Sequence, residues 1–457
     1  MRWAAALVVA MAIAGVPVDA RGSSVDLQAL VDAAEPGAVL VVPAGTHRGN
    51  IVIDKPLELR GEGWPVVDAG GVGTVITIDA SDVTIRGIVI ANSGRSGDRE
   101  DAGISATGAR VTIEGNRFEN VLFGVYLRRA PDAKVVDNVV GALDVDVARR
   151  GDGIRVWESP DSTISGNTVS GGRDTVIWFS DRVVVRDNHI SDGRYGIHFM
   201  YCDGALVERN RLEGNSVGGF LMYSKDIVVR DNLISGNHGP SGYGIGLKDV
   251  SGLTMTGNHL LANRVGVYFD NSPADRNAEH HITGNVLAYN EIGALFLPSV
   301  RGNAFTGNAF VDNRQQVGVQ GSGTFEGNLW TVDGVGNHWS DFAGYDADAD
   351  GIGDIPYRLA DLFSTLTDTY PPLRFFEATP AAVAVDLAGT MFPAFRPREK
   401  VEDTAPLIAP PDIPVPVATP GASTGADSPT VAVGVAMVGV AGGLWWASRK
   451  PLRRWAA

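Results

Sequence analysis

Between about Val52 and Trp330 the chain alternates short Val/Ile-rich runs with Gly-Asn or Asp-Asn pairs, and the pattern returns mostly every 20 to 23 residues. The units are marked by Gly115-Asn116, Asp137-Asn138, Gly166-Asn167, Asp187-Asn188, Arg209-Asn210, Asp231-Asn232, Gly257-Asn258, Gly284-Asn285, Gly307-Asn308 and Gly327-Asn328. Several short β-branched runs per unit, with no helical periodicity and no Leu-x-x-Leu-x-Leu signature, predict the coils of a parallel β-helix. The expected class is all-β: a right-handed, single-stranded solenoid over 51–335. Asn tolerates left-handed backbone at tight turns, and stacked amides hydrogen-bond from coil to coil, so the repeated Asn are structural.

One strand of each unit can be aligned on its leading small residue: Gly153-IRVW, Thr175-VIWF, Gly196-IHFM, Gly218-GFLM, Gly244-IGLK, Gly266-VYFD and Gly293-ALFL. Side chains alternate faces along a strand. The first and third followers (Ile154/Val156, Val176/Trp178, Ile197/Phe199, Gly219/Leu221, Ile245/Leu247, Val267/Phe269, Ala294/Phe296) then point inward. The opposite face reads Arg155/Trp157, Ile177/Phe179, His198/Met200, Phe220/Met222, Gly246/Lys248 and Tyr268/Asp270. With coils about 4.8 Å apart, Trp157, Phe179, Met200 and Met222 become consecutive on the outside, flanked by Lys248 and Asp270. An apolar, thioether-bearing strip of this kind marks a binding site unless a loop such as 94–101 covers it. Phe220, Tyr201, Tyr223 and Tyr268 join Trp157, Phe179, Lys248 and Asp270 as candidate partner-contacting residues.

The ends follow other patterns. Residues 1–20 read as a signal peptide, with Arg2, an apolar stretch from Trp3 to Val16, and Val18-Asp19-Ala20 before the cleavage site; a short buried helix is the alternative. Asp26 to Ala34 is amphipathic and fits a helical cap within 21–50. Gly336 to Leu373 breaks the period and is expected to close the other end, in an irregular cap assigned to 336–404. The Pro-rich stretch 405–429 reads as a semi-extended tether. Residues 430–448 form an uncharged run long enough to cross a bilayer, and Arg449, Lys450, Arg453 and Arg454 in the tip 449–457 would stay cytoplasmic. A surface-packed helix is the alternative. The formal charge of −15 argues against nucleic-acid partners. The single cysteine excludes a disulfide within the chain.

Three central segments, RYGIHFMYCDGALVERNRLEGNSVGGFLMYSKDIVVRDN, GYGIGLKD and NRVGVYFDNSP, resemble the NosD family. So do IDKPLELRGEGWPVVDAGG before them and GNHWSDFAGYDADADGIGDIPYR and MFPAFRPREKVEDTAPL after them; the resemblance covers roughly residues 25 to 410. It implies a periplasmic accessory protein that sits on an ABC transporter of membrane and ATPase subunits. It further implies support for assembly of the copper–sulfur centre of nitrous oxide reductase. Members of the family are usually described as copper-binding. The tether and span after Pro410 depart from the simplest family form.

Soft thioether and imidazole donors suit Cu(I). His198, Met200, Met222 and Cys202 form the candidate copper cluster, with a docking strip for a copper chaperone or the reductase as the alternative. His189, His238, His259, His280 and His281 fall mostly at turns and are read as surface residues. Asp346-x-Asp348-x-Asp350-Gly-x-Gly-Asp354 matches the start of a Ca²⁺ loop, with Tyr357 where the closing Glu belongs; calcium would pin the C-terminal cap. A solvated acidic turn is the alternative. The rival functional classes are a polysaccharide lyase, epimerase or hydrolase, for which Lys248 and Asp270 are the best pair, and a passive surface scaffold.

Overall fold

The computed structural model describes residues 24–321, 326–377, 379–392, 397 and 399–415. The expected signal peptide, the apolar run 430–448 and the basic tip lie outside them. Among the described residues no helix is long and apolar enough to cross a membrane.

The chain winds as a parallel β-helix. Successive strands step through three sheets in turn, so that Ala38–Val42, Thr46–Arg48 and Ile51–Ile53 open a twelve-, a thirteen- and a twelve-stranded sheet respectively. Every pairing within these sheets is parallel and joins strands of neighbouring coils, as Ile51 with Ile76 and Ile76 with Ile104 illustrate. Three-residue strands of the first sheet such as Thr163–Ser165 bury only their central residue, whereas Ile51–Ile53 in the third sheet buries both of its ends; tight corners turn each strand onto another wall. The interior is a column of branched and aromatic side chains, including Ile53, Ile78, Leu59, Phe199 and Phe269.

The corners are set by amide ladders. Asn116, Asn138, Asn167, Asn188, Asn210, Asn232, Asn258, Asn285 and Asn308 are fully buried, and each Nδ2 donates to Oδ1 of the Asn one coil on, at 2.8–3.1 Å. The left-handed residue of this corner is not the Asn but the one before it: φ is +54° at Asp137 and Asp231, and +61° at Gly115. The ladder runs on to Asn337, whereas Asn328 pairs separately with Asn303. A second buried ladder, Asn215, Asn237, Asn263, Asn290 and Asn313, occupies the next corner.

The helix Leu27–Ala33 closes the N-terminal end. It is capped by the Asp26 carboxylate and drives Leu27 and Val31 into the first coil. At the other end, Trp339 stacks between Phe310 and Tyr357, with ring centroids 4.4 Å apart on each side. Asp403 is buried there and accepts from Trp339 Nε1, Asn337 N and Thr331 Oγ1 at 2.9, 2.7 and 2.8 Å. The expected tether begins too early as a result. Residues 405–415 are not a free spacer, since Leu407 N–H donates to Asn337 O and the Leu407 carbonyl accepts from His338.

Two of the five histidines expected at the surface are also misplaced by the sequence reading. His259 and His280 are 5 % and 0 % exposed. His280 Nδ1 accepts from Leu253 N at 3.0 Å, and burial pushes its pKa down to about 3.

Candidate functional site

The outward strip lies on the third sheet, where backbone register decides which side chains meet. Trp157 pairs with Trp178, Trp178 with Met200, Met200 with Met222, Met222 with Lys248, and Lys248 with Asp270. The parallel inner ladder is Arg155, Val176, His198, Phe220, Gly246 and Tyr268.

One coil therefore departs from the expected alignment. The register shifts between Asp174 and Val176, so Thr175 and Ile177 point inward while Val176 and Trp178 point outward. Phe179 moves off the strip to the corner beyond it. There it stacks on Tyr201 at 5.2 Å, and Tyr201 stacks on Tyr223 at 5.1 Å. All three hold left-handed backbone, with φ of +52°, +56° and +51°. Bulky residues seldom adopt that region, where Asn271 and Asp249 sit in later coils.

His198 is outward-facing yet only 7 % exposed. Trp178 meets its ring edge-on at 5.3 Å and Tyr195 covers it at 4.9 Å. Burial pushes its pKa down to about 4, so the imidazole is neutral at ordinary pH. Its Nε2 lies 3.4 Å from Met222 Sδ, and its buried Nδ1 has no partner. A neutral imidazole nitrogen against a thioether, with Met200 in register beside Met222, is a soft donor set that fits Cu(I).

Cys202 does not join it. The thiol faces the core at 0 % exposure, donates to Ile177 O at 3.1 Å and accepts from Ser180 N at 3.4 Å. It fills one rung of a buried ladder otherwise made by Ser159, Ser180 and Ser224. Burial pushes the thiol up to about 12, leaving no thiolate to ligate a metal.

Aromatic residues beyond the expected set complete the strip. Tyr243 stacks on Tyr268 at 4.3 Å, and Phe220 lies between Tyr195 and Tyr243 at 5.9 and 6.2 Å. On the flank away from the tyrosine corner, Arg155 pairs with Asp152 at 2.7 Å and with Glu100 at 3.0 Å. Asp174 accepts from Nε and Nη2 of Arg194. The loop carrying Glu100 thus packs over Arg155. Lys248 and Asp270 are 3.8 Å apart, with the Met222 rung on one side.

In the Asp-rich loop, ligand atoms of Asp346, Asp348 and Asp350 lie within 4.8 Å of one another. Asp354 is not in that group, and its Oδ2 accepts from Ala347 N at 2.6 Å. Asp350 holds the Asp348 carboxyl above its ordinary pKa, and backbone N–H groups led by Gly351 hold Asp346 below it.

Residues 136–344, which contain the whole strip from Trp157 to Asp270, match the profile of a family described as "Periplasmic copper-binding protein (NosD)". A "Probable ABC transporter binding protein NosD" of Pseudomonas aeruginosa is 32% identical over 416 residues, covering 80% of this chain and 87% of that one. The chain belongs to the NosD family. A second NosD, from Stutzerimonas stutzeri, is 28% identical and covers 80% of this chain and 86% of its own length. Among solved structures, the A-module of the mannuronan C-5 epimerase AlgE4 from Azotobacter vinelandii superposes with a TM-score of 0.49 at 17% identity. It covers 68% of this chain and 96% of the module. The NosD resemblance read in the central segments thus holds over most of the solenoid.

Proposed function

We propose that this protein is a non-enzymatic maturation factor for nitrous oxide reductase. It acts outside the cytoplasmic membrane with a partner ABC transporter and supplies copper, sulfur or both for the copper–sulfur centre. The observation that carries the reading is the contact between His198 Nε2 and Met222 Sδ at 3.4 Å, in a family described as periplasmic and copper-binding. The description of both relatives as probable ABC transporter binding proteins supports the transporter partner.

His198, Met200 and Met222 hold Cu(I) as cargo in this reading, and the aromatic strip with the Phe179–Tyr201–Tyr223 corner docks the donor or the reductase. Calcium bound by Asp346, Asp348 and Asp350 stabilises the C-terminal cap, and the apolar run 430–448 anchors the body to the membrane. A sugar-active enzyme is disfavoured by the composition of the strip. The ladder that holds Asp270 offers Lys248, Met222 and Met200 before it, and no second carboxylate.

The test is gene deletion with complementation, followed by the copper content and activity of the reductase. Wild-type copper loading and activity in the deletion strain would overturn the reading.

A further inference from the structure

The C-terminal cap contains a helix, Pro380–Met391, whose faces are reversed relative to an ordinary surface helix. It packs through its small residues. Ala382 and Gly389 are buried, and a Cβ on Gly389 would come within 3.0 Å of Leu362 in the neighbouring helix Leu362–Thr369. The large apolar side chains point the other way. Val383, Leu387 and Met391, one turn apart on a single stripe, are all exposed, Val383 by 68 %. Among the described residues nothing covers them. Tyr370, Phe375 and Phe376 just before the helix and Phe392 just after it are exposed as well, Phe375 by 86 %. A helix in water buries its larger apolar face, because that removes most apolar area from solvent.

The stripe offers nothing polar to a partner. Pro380–Met391 carries one charge, Asp386, and that carboxylate turns inward to accept from Phe363 N at 2.7 Å. The Thr390 hydroxyl donates to Leu387 O of its own helix at 2.8 Å. A specific protein interface makes about one hydrogen bond per 100–200 Å². Hydrocarbon asks for none. The course of the chain favours lipid too. The tail is fixed at this same cap, by Asp403 on Trp339 and by Ile408 N–H on Gly351 O at 3.1 Å. The last described residue is Val415 and the uncharged run starts at 430, so the segment between them reaches roughly 50 Å at full extension.

We infer that the stripe of Val383, Leu387 and Met391 seats in the surface of a lipid bilayer, as a contact additional to the run 430–448. The inference rests on the reading of that run as a membrane anchor. The helix has 12 residues and rises about 18 Å, too short to cross a hydrocarbon core of about 30 Å. It therefore lies along the interface with the stripe dipped below the headgroups. A tether alone leaves the solenoid free to tumble above the membrane; a cap that also touches the bilayer fixes which way the solenoid stands.

Cys202 is buried, so a thiol introduced at the surface can be labelled selectively. Spin labels at Val383→Cys and Leu387→Cys, in full-length protein reconstituted into phosphatidylcholine–phosphatidylglycerol nanodiscs, are compared with one at exposed Val72→Cys, beyond the strand Val66–Asp68 near the other end. Relative to Val72, the Val383 and Leu387 labels should collide severalfold less with a polar nickel complex and more with O₂. Adding Leu387→Glu and Met391→Glu should return the Val383 label to the behaviour of Val72. Labels at Val383 and Leu387 as open to nickel as Val72 overturn the inference. So does shielding from both reagents, which would mean that a protein covers the stripe. A Val438→Cys label reports on the anchor separately. If it lies in hydrocarbon while Val383 and Leu387 are aqueous, the anchor stands and the inference alone falls; if all three are aqueous, both fall.

Discussion

His198 and Met222 belong to neighbouring coils, and Nε2 of the first meets Sδ of the second at 3.4 Å while Met200 stands in register beside it. The contact is made of groups that can be exchanged without disturbing the interior, because the core face of these strands is made by Ile197, Phe199, Gly219 and Leu221. Met200→Leu with Met222→Leu should abolish Cu(I) binding while lowering stability by less than about 1.5 kcal/mol, as volume-conserving swaps do. Met200→Asp with Met222→Asp should also break partner association, since it would bury unpaired charge. A competition titration with a Cu(I) chelator and a pull-down with the reductase check both. Full reductase maturation by the double Asp variant would eliminate both the ligand and the docking roles.

The protonation of His198 gives a second expectation. Its pKa in the fold is about 4, against about 6.5 for an unfolded chain. The unfolded state therefore takes the proton first as pH falls, and stability drops between about pH 6.5 and 4, then levels off below. The difference corresponds to roughly 3 kcal/mol. His280 acts in the same direction, so His198→Phe should remove only part of the acid loss. Urea unfolding across that pH range measures it. Cu(I) affinity, by contrast, should stay flat down to about pH 5, where an exposed His would already be losing its ligand to protons.

The aromatic corner sets stability against association. Left-handed backbone costs an ordinary residue roughly 1–2 kcal/mol, and the ring stacking returns about 0.5–1.5 kcal/mol per pair. Replacing Phe179, Tyr201 and Tyr223 together by Asn should leave the melting temperature nearly unchanged or raise it. Binding of the reductase or a copper chaperone should fall at least about tenfold if the rings are interface anchors. A large loss of stability instead would mean that the stack holds the coils.

Calcium should raise the unfolding free energy, by roughly 2.7 kcal/mol at a hundred times its dissociation constant. Asp348→Ala with Asp350→Ala should erase the gain. A melting temperature indifferent to chelator in the wild-type protein would reduce the loop to an acidic turn.

The solenoid was legible because each coil repeats one chemical event, the buried Asn, often enough to be counted. Its outward faces were legible wherever coils matched in length, which is why His198, Met200, Met222, Lys248 and Asp270 fall on the expected side. The coil of Thr175 failed because a leading small residue is a weak landmark, and the register there shifts by one. A better one was present: Ser159, Ser180, Cys202 and Ser224 each lie two residues after Trp157, Trp178, Met200 and Met222. Aligning on them puts Trp178 on the strip, and it also assigns Cys202 to the core. The contact of the C-terminal cap with the last coil was not legible, because Arg314 meets Glu377 and Gln315 meets Asp368 only when the cap folds over that coil.

Donors on the strip are contributed by different coils, and what spaces them is backbone hydrogen bonding, not side-chain packing. The solenoid thus works as a ruler with a graduation of about 4.8 Å. A substitution changes what stands at a mark without moving the mark. Duplication or loss of a whole coil would translate every later group by one graduation and leave the others aligned. Along the solenoid axis, positional error in such a site comes in whole steps, and a ligand bridging Met200 and Met222 must match the interval between neighbouring coils.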